Sequence, residues 1–200
     1  VYASSMSVYG SVDDEPIHEN HPCLPLSCYG IGKLASENYL RVYLDKLPFV
    51  SLRMFNVYGP GQDLNNLRQG MVSIYLAQAL EKGNIEVKGS IKRFRDFIFI
   101  SDVVEIWFKA ATCPSALMQT LNVGTGIKTK IEDILEKICK RVPESSYCIR
   151  GSTAGDQSGI YADVTKVSQH LGYSKFVSLD KGLNVFADWA RRNIFEKNSK

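Results

Sequence analysis

The sequence predicts an α/β fold in which short apolar strands alternate with amphipathic helices, and three observations carry that prediction. Apolar runs at 49–55, 85–88 and 120–123 are short and bounded by turn residues, as buried strands are. Between them, 29–47, 71–82 and 101–112 repeat apolar residues at helical spacing. Gly59-Pro60-Gly61 and Gly83-Asn84 punctuate the boundaries. Strands that alternate with helices in this way build a mainly parallel sheet.

Val1 to Ala3 reads as the end of a strand that starts before the chain does, with Ser5 just beyond. Residues 10–27 form a loop with Asp13, Asp14, Glu15, Glu19 and three prolines, at 16, 22 and 25. The helix 29–47 puts Leu34, Ala35, Tyr39, Leu40, Val42 and Tyr43 on one apolar face, at least half of it expected as ordinary core. Arg53 lies inside the strand 49–55 and needs a partner, because an unpaired buried charge is costly. A polar loop at 62–69 leads to the helix 71–82, which Gly83 ends. From Arg93 a strong strand runs to Ile100, and Arg93 and Arg95, two apart, face one side of it. Ser101 reads as the N-cap of a helix to Thr112, with Asp102 in its first turn. Thr129-Lys130-Ile131-Glu132 fits a capping box that opens a helix ending near Arg141. A strand at 147–150, a loop at 151–159, two amphipathic helices at 163–171 and 179–193, and a charged tail complete the chain.

Composition excludes several classes. Of 200 residues 44% are apolar and 22% charged, ordinary for a globular protein with a sizeable core. A net charge of +3, scattered along the chain, argues against nucleic acid as partner. No apolar run reaches membrane-spanning length, and no leader peptide is read at the start. The five cysteines, Cys23, Cys28, Cys113, Cys139 and Cys148, are odd in number and hold no C-x-x-C pair, which reads as free thiols in a reducing, cytoplasmic compartment. His18, His21 and His170 form no grouping that suits a metal.

The chemistry concentrates at Tyr29-Gly30-Ile31-Gly32-Lys33. Residues four apart share a helix face, so the Tyr29 phenol and the Lys33 ammonium point the same way. A cation beside a phenol favours the phenolate, which suits Tyr29 to acid/base work on a substrate hydroxyl. Ser5 is placed to hydrogen-bond the same oxygen. The spacing alone is a weak signal, although Tyr29 is the single tyrosine of the chain with a lysine four residues on. The order of strand, serine pair, proline-containing loop and helix start strengthens it.

These residues, with four more motifs in order, resemble the extended short-chain dehydrogenase/reductase family, in particular its nucleotide-sugar epimerases of the UDP-galactose 4-epimerase type. The further motifs are Leu52-Arg53-Met54-Phe55-Asn56-Val57-Tyr58-Gly59-Pro60-Gly61, Arg95-Asp96-Phe97-Ile98-Phe99-Ile100 with Ser101-Asp102, Leu121-Asn122-Val123-Gly124, and Gly155-Asp156 with Ala162-Asp163. The resemblance implies the C-terminal part of a Rossmann-like doubly wound parallel sheet plus a smaller mixed α/β substrate-binding domain. Residues 1–60 would belong to the dinucleotide-binding part and 61–200 to the sugar-nucleotide part, with about 97–125 rejoining the main sheet.

By the same resemblance the catalytic set is Ser5, Tyr29 and Lys33. NAD is the cofactor, contacted by Tyr29, Lys33 and Met54. A nucleotide-diphosphate sugar, UDP-linked, is held by Ser5, Asn56, Arg95 and Asp156. The helix from Tyr29 is expected to pack on its copy in a homodimer. The implied reaction is epimerisation by transient oxidation at a sugar carbon. Family 4,6-dehydratases carry Asp-Glu directly after the active-site Ser or Thr; here Met6 and Ser7 stand there, which favours an epimerase or a reductase. Thr153 replaces an arginine frequent three residues before Asp156, and Ile160 falls where the family adjusts room for the sugar. No G-x-G-x-x-G turn for the pyrophosphate occurs in the chain, so a longer intact protein is expected, and the 200 residues alone are expected to bind sugar nucleotide without turnover.

Overall fold

The structure, a computed structural model, describes residues 1–12, 14–67, 70–151 and 158–198, the side chains of the last helix as far as Ile194. In chain order the elements are β1 (Tyr2–Ser5), a 3-10 turn (Met6–Val8), α1 (Cys28–Val42), β2 (Ser51–Met54), β3 (Asn56–Tyr58), α2 (Met71–Lys82), β4 (Asn84–Val87), β5 (Phe94–Arg95) and β6 (Phe97–Phe99). There follow α3 (Ile100–Thr112), a second 3-10 turn (Pro114–Ala116), β7 (Thr120–Val123), β8 (Thr129–Lys130), α4 (Ile131–Arg141), β9 (Ser146–Ile149), β10 (Gly159–Ile160), α5 (Thr165–Leu171) and α6 (Leu179–Asn198). Among the described residues no helix is long and apolar enough to cross a membrane.

The main sheet is parallel with β2 at its centre, between β1 and β7. Leu52 lies opposite Ala3 on one side and Leu121 on the other. At Phe55 the strand changes partner. The Phe55 N–H still donates to Val123 O at 3.0 Å, whereas the Asn56 N–H donates to Asp96 O at 3.1 Å as β3 pairs with β6. The expected single strand at 49–55 is therefore 51–54, followed by a second segment at 56–58 that carries Asn56 beyond the sheet.

The expected strand from Arg93 to Ile100 is also two pieces. β5 pairs with β10 and β8, β6 pairs with β3, and Asp96 stands at the break. The Asp96 carboxylate is fully buried. It accepts from the N–H groups of Thr125 (2.8 Å), Gly126 (2.9 Å) and Ala162 (3.1 Å), and from the Thr125 hydroxyl (2.6 Å). Those donors come from chain segments that no local pattern ties to residue 96, and they draw the strand out of line.

Helix ends differ from expectation where a competing partner exists. α1 stops at Val42, because 43–46 close as turns through Tyr43 O. Little of the apolar face expected on α1 is core: Leu34 packs half-buried on the cluster around Val8 and Tyr9, whereas Tyr39, Val42 and Tyr43 are exposed, and the fully buried residues of the helix are Gly30 and Glu37. α3 begins at Ile100 with no side-chain cap, so Ser101 lies inside it and not at its N-cap. Asp102 is in the first turn as expected, and accepts from Tyr173 Oη (2.8 Å) and the Val177 N–H (3.0 Å). At α4 the residue that closes on the N-terminus is Asp133, which accepts from the Lys130 N–H at 3.1 Å; Thr129 is in β8 and Glu132 pairs with Lys92. Gly83 ends α2 as expected, at φ 62°, a left-handed conformation that glycine adopts without steric cost.

The largest core joins α2, α4 and α6 over β4, with Leu76, Ile134, Ile138 and Phe186 essentially inaccessible. A second lies between α3, α5 and the main sheet, around Leu52, Ile106 and Leu121. A small third cluster packs Val8, Tyr9 and Ile17 beneath the loop 10–27. That loop is not free: Ile17 bridges Ala162, and Asn122 Nδ2 donates to Ile17 O at 2.7 Å.

Candidate active site

Ser5 ends β1 and caps the short turn that follows. Its Oγ accepts from the Ser7 N–H and donates to Ser7 Oγ, both at 3.2 Å. Ser27 caps α1 in the same way, accepting from the Gly30 N–H at 3.1 Å. The first turn of α1 then lies directly on the turn after Ser5, which requires Gly30: a Cβ there would stand 2.4 Å from Ser7 O. This close approach brings Tyr29 over the end of β1.

Tyr29 and Lys33 follow one face of α1. The Lys33 ammonium lies 5.5 Å from the Tyr29 ring centroid and donates to Ala3 O at 2.8 Å. Ser5, Tyr29, Met54 and Asn56 share the wall of one cleft of about 340 Å³, with Ser4, Ser7, Gln62, Met71 and Phe97. More than half of the Tyr29 surface is open to it and to solvent. Asn56 is steadied by an Nδ2 bond to Asp96 O at 3.0 Å and a contact to Met6 Sδ at 3.7 Å.

Arg95 borders a neighbouring recess of about 180 Å³ with Met6, Ser7, Gly10, Leu26, Ser27 and Ile160. Ser7 lines both cavities. Arg93 does not join Arg95. It is buried, and its guanidinium donates to Ser90 O (2.7 Å) and Lys88 O (2.5 Å), satisfying carbonyls of the preceding turn. The two arginines expected on one side of a strand therefore part: Arg93 is engaged by the turn at 88–90, and Arg95 borders the recess. Asp156 and Thr153 lie outside the described residues.

The partner that Arg53 requires is Glu37. Arg53 Nη2 meets Glu37 Oε2 at 2.6 Å and Nε meets Oε1 at 3.0 Å, both side chains fully buried. Ser4 and Ser51 add hydroxyl bonds to Oε1 at 2.5 and 3.2 Å. Burial alone would raise the Glu37 carboxyl; the bonds from Arg53, Ser4 and Ser51 outweigh it and hold the group below the usual carboxylate range. Asp96 goes the other way, its burial outweighing four hydrogen bonds and raising it.

Sequence reasoning missed Ser7, Gln62 and Phe97. The Ser5-Met6-Ser7 spacing, a capping serine with a second hydroxyl two residues on, was the one local signal for the first. Gln62 and Phe97 arrive through the tertiary fold and carry none. No group of three His, Cys, Asp or Glu suited to a metal occurs among the described residues.

Residues 1–124 match the family model described as "NAD dependent epimerase/dehydratase family". The chain is similar to the UDP-glucose 4-epimerase of Mycolicibacterium smegmatis, 32% identical over 193 residues, covering 94% of this chain and 61% of that protein. It is also similar to the dTDP-4-dehydro-6-deoxyglucose reductase of Escherichia coli, 30% identical over 188 residues, 92% of this chain and 58% of that protein. Among solved structures, the UDP-glucuronic acid 4-epimerase of Bacillus cereus in complex with UDP-glucuronic acid and NAD superposes with a TM-score of 0.86 at 29% identity, over 96% of this chain and 60% of that one. The chain therefore spans less than two thirds of the length of these proteins.

Proposed function

Because the chain belongs to the NAD dependent epimerase/dehydratase family, we propose that the protein epimerises a UDP-linked hexose by transient oxidation at a sugar carbon. The observation that carries this reading is the single cleft shared by Ser5, Tyr29, Met54 and Asn56, with Lys33 against the Tyr29 ring. The donor set suits NAD. Lys33 spends one N–H on Ala3 O and keeps two for ribose hydroxyls, and Met54 with Phe97 offers apolar wall to a flat ring. When bound, NAD supplies the acceptor and then the donor of the hydride.

The residues of the chain do the rest. Tyr29, as phenolate, takes the proton of the sugar hydroxyl while the hydride leaves the same carbon, and returns it after the keto sugar has turned over. Ser5 hydrogen-bonds the reacting oxygen; its Oγ is already oriented by Ser7. Asn56 and Arg95, together with Asp156, hold the diphosphate and nucleotide so that the sugar can rotate without escaping. Residues 1–60 would serve the cofactor and 61–200 the sugar nucleotide. The exposed apolar side chains Ile31, Tyr39 and Val42 on α1, with Tyr43 just past its end, support a homodimer through that helix. The free cysteines support a cytoplasmic location.

Met6 and Ser7, which offer neither a carboxylic acid nor a base beside Ser5, speak against a dehydratase. A reductase of the same family is the second reading, favoured by the similarity to the E. coli enzyme. The test is to incubate the full-length protein with NAD and UDP-glucose and follow UDP-galactose by NMR. Conversion is expected, and Tyr29→Phe should lower kcat by about 10²–10⁴-fold. Consumption of NADH with a keto sugar, without epimerisation, would point to the reductase. A Tyr29→Phe protein that turns over at the wild-type rate would remove the tyrosine from the chemistry.

A further inference from the structure

α1 carries the tyrosine and lysine of the site, yet its fully buried residues are only Gly30 and Glu37, and the apolar contact it makes is Leu34, half-buried against the small cluster around Val8 and Tyr9. Within the chain, apolar burial therefore contributes little to its rotation or its height above β1. What does meet β1 is polar. Tyr29, Lys33 and Glu37 are four apart and form one stripe. Lys33 bonds Ala3 O and Glu37 bonds Ser4 Oγ, so two adjacent residues of β1 are engaged immediately before Ser5.

Glu37 is itself anchored. The planar fork of Arg53 grips both of its oxygens, which fixes an orientation that a single contact would leave free. Arg53 is in turn pinned by Glu19 O at 3.1 Å and by the Tyr9 ring, whose centroid lies 4.8 Å from its guanidinium carbon. Tyr9 Oη donates to Asn122 Oδ1 at 2.6 Å, and the Asn122 N–H donates to Glu19 Oε1 at 2.8 Å. The network thus reaches all three strands of the main sheet and the loop 10–27.

We infer that the buried Ser4–Glu37–Arg53 network is a positioning device: it sets the register of α1 on β1 and thereby the approach of Tyr29 to Ser5. The inference rests on the proposed roles of Tyr29 and Ser5 for its effect on turnover, though not for its effect on geometry. Ser4 and Ser51 make the test sharp, because both donate a hydroxyl to the same atom, Glu37 Oε1, but only Ser4 sits on β1 beside Ser5.

Ser4→Ala and Ser51→Ala each remove one hydroxyl bond and are expected to lower the melting temperature by similar amounts. In crystal structures of the two variants, the first turn of α1 in Ser4→Ala should move relative to β1 by more than about 0.5 Å, whereas Ser51→Ala should superpose on the wild type. In the full-length protein Ser4→Ala should lower kcat by about tenfold or more with KM unchanged, and Ser51→Ala should leave it unaltered. If α1 superposes in both variants, or moves equally in both, the network only stabilises and the inference is overturned. A loss of kcat without displacement would mean that Ser4 touches substrate directly, which also overturns it. If the wild type fails to epimerise, the proposed function fails, while the displacement of α1 still decides the positioning role.

Discussion

Helices α1 and α4 are similar in length, 15 and 11 residues, but different forces hold them. α4 buries Ile131, Ile134, Leu135 and Ile138 and is fixed by the apolar area it removes from water. α1 hides only a glycine and a glutamate, and leaves Ile31, Tyr39 and Val42 exposed. Area is non-directional and tolerates small slides; hydrogen bonds and a bidentate ion pair set distance and angle. The helix that must present Tyr29 is held by the directional kind.

Breaking the polar anchor should have the largest effect on stability. Glu37→Gln leaves Arg53 buried and uncompensated, and should cost about 3–5 kcal/mol in urea unfolding. The same variant isolates a pH dependence. Because the folded pKa of Glu37 is depressed, its contribution is fully present above the ordinary glutamate value of about 4.3 and is lost as pH falls through the folded value. The difference in stability between wild type and Glu37→Gln should therefore narrow in acid and stay flat above it. Measuring the difference removes Asp96, whose raised pKa acts with the opposite sign in both proteins.

Ile134→Ala sharpens the comparison from the apolar side. It should cost about 2–5 kcal/mol of stability, yet leave kcat per folded molecule unchanged. A specific fall in kcat would show that the α4 core also tunes the site. Smaller effects separate two glycines of α1. Gly30→Ala drives a Cβ against Ser7 O and should cost about 1–3 kcal/mol while lowering activity, as the turn lifts from β1. Gly32→Ala meets no atom within 4 Å and should stabilise the helix by about 0.5–1 kcal/mol, read from the melting temperature.

Much of this arrangement was legible in the residues, for identifiable reasons. α2 and β7 fall where periodicity and turn residues set them, because nothing remote competes for their backbone. The pattern of α1 ran on to Leu47 because Tyr43 and Leu47 continue the apolar spacing, but both are exposed and give the helix no reason to continue. That Arg53 needs a partner follows from its burial in a strand; which acid supplies it is a matter of tertiary placement. Arg93 and Arg95 look equivalent in sequence, and only the carbonyls of Lys88 and Ser90 distinguish them. The gathering of Ser5, Tyr29, Met54 and Asn56 at one cleft follows from parallel strands ending on the same side, which alternation of strands and helices already implies.

The break at Asp96 constrains how this protein can vary. Its carboxylate ties two distant segments, at 125–126 and at Ala162, its carbonyl holds the Asn56 amide, and the residue before it is the arginine of the smaller recess. A residue gained or lost between Phe94 and Phe99 would turn Arg95 to the opposite face or detach Asn56, since side chains alternate along a strand. The turn before it is no freer, because the buried Arg93 already fastens Ser90 O and Lys88 O, so chain length should be invariant from that turn through Phe99.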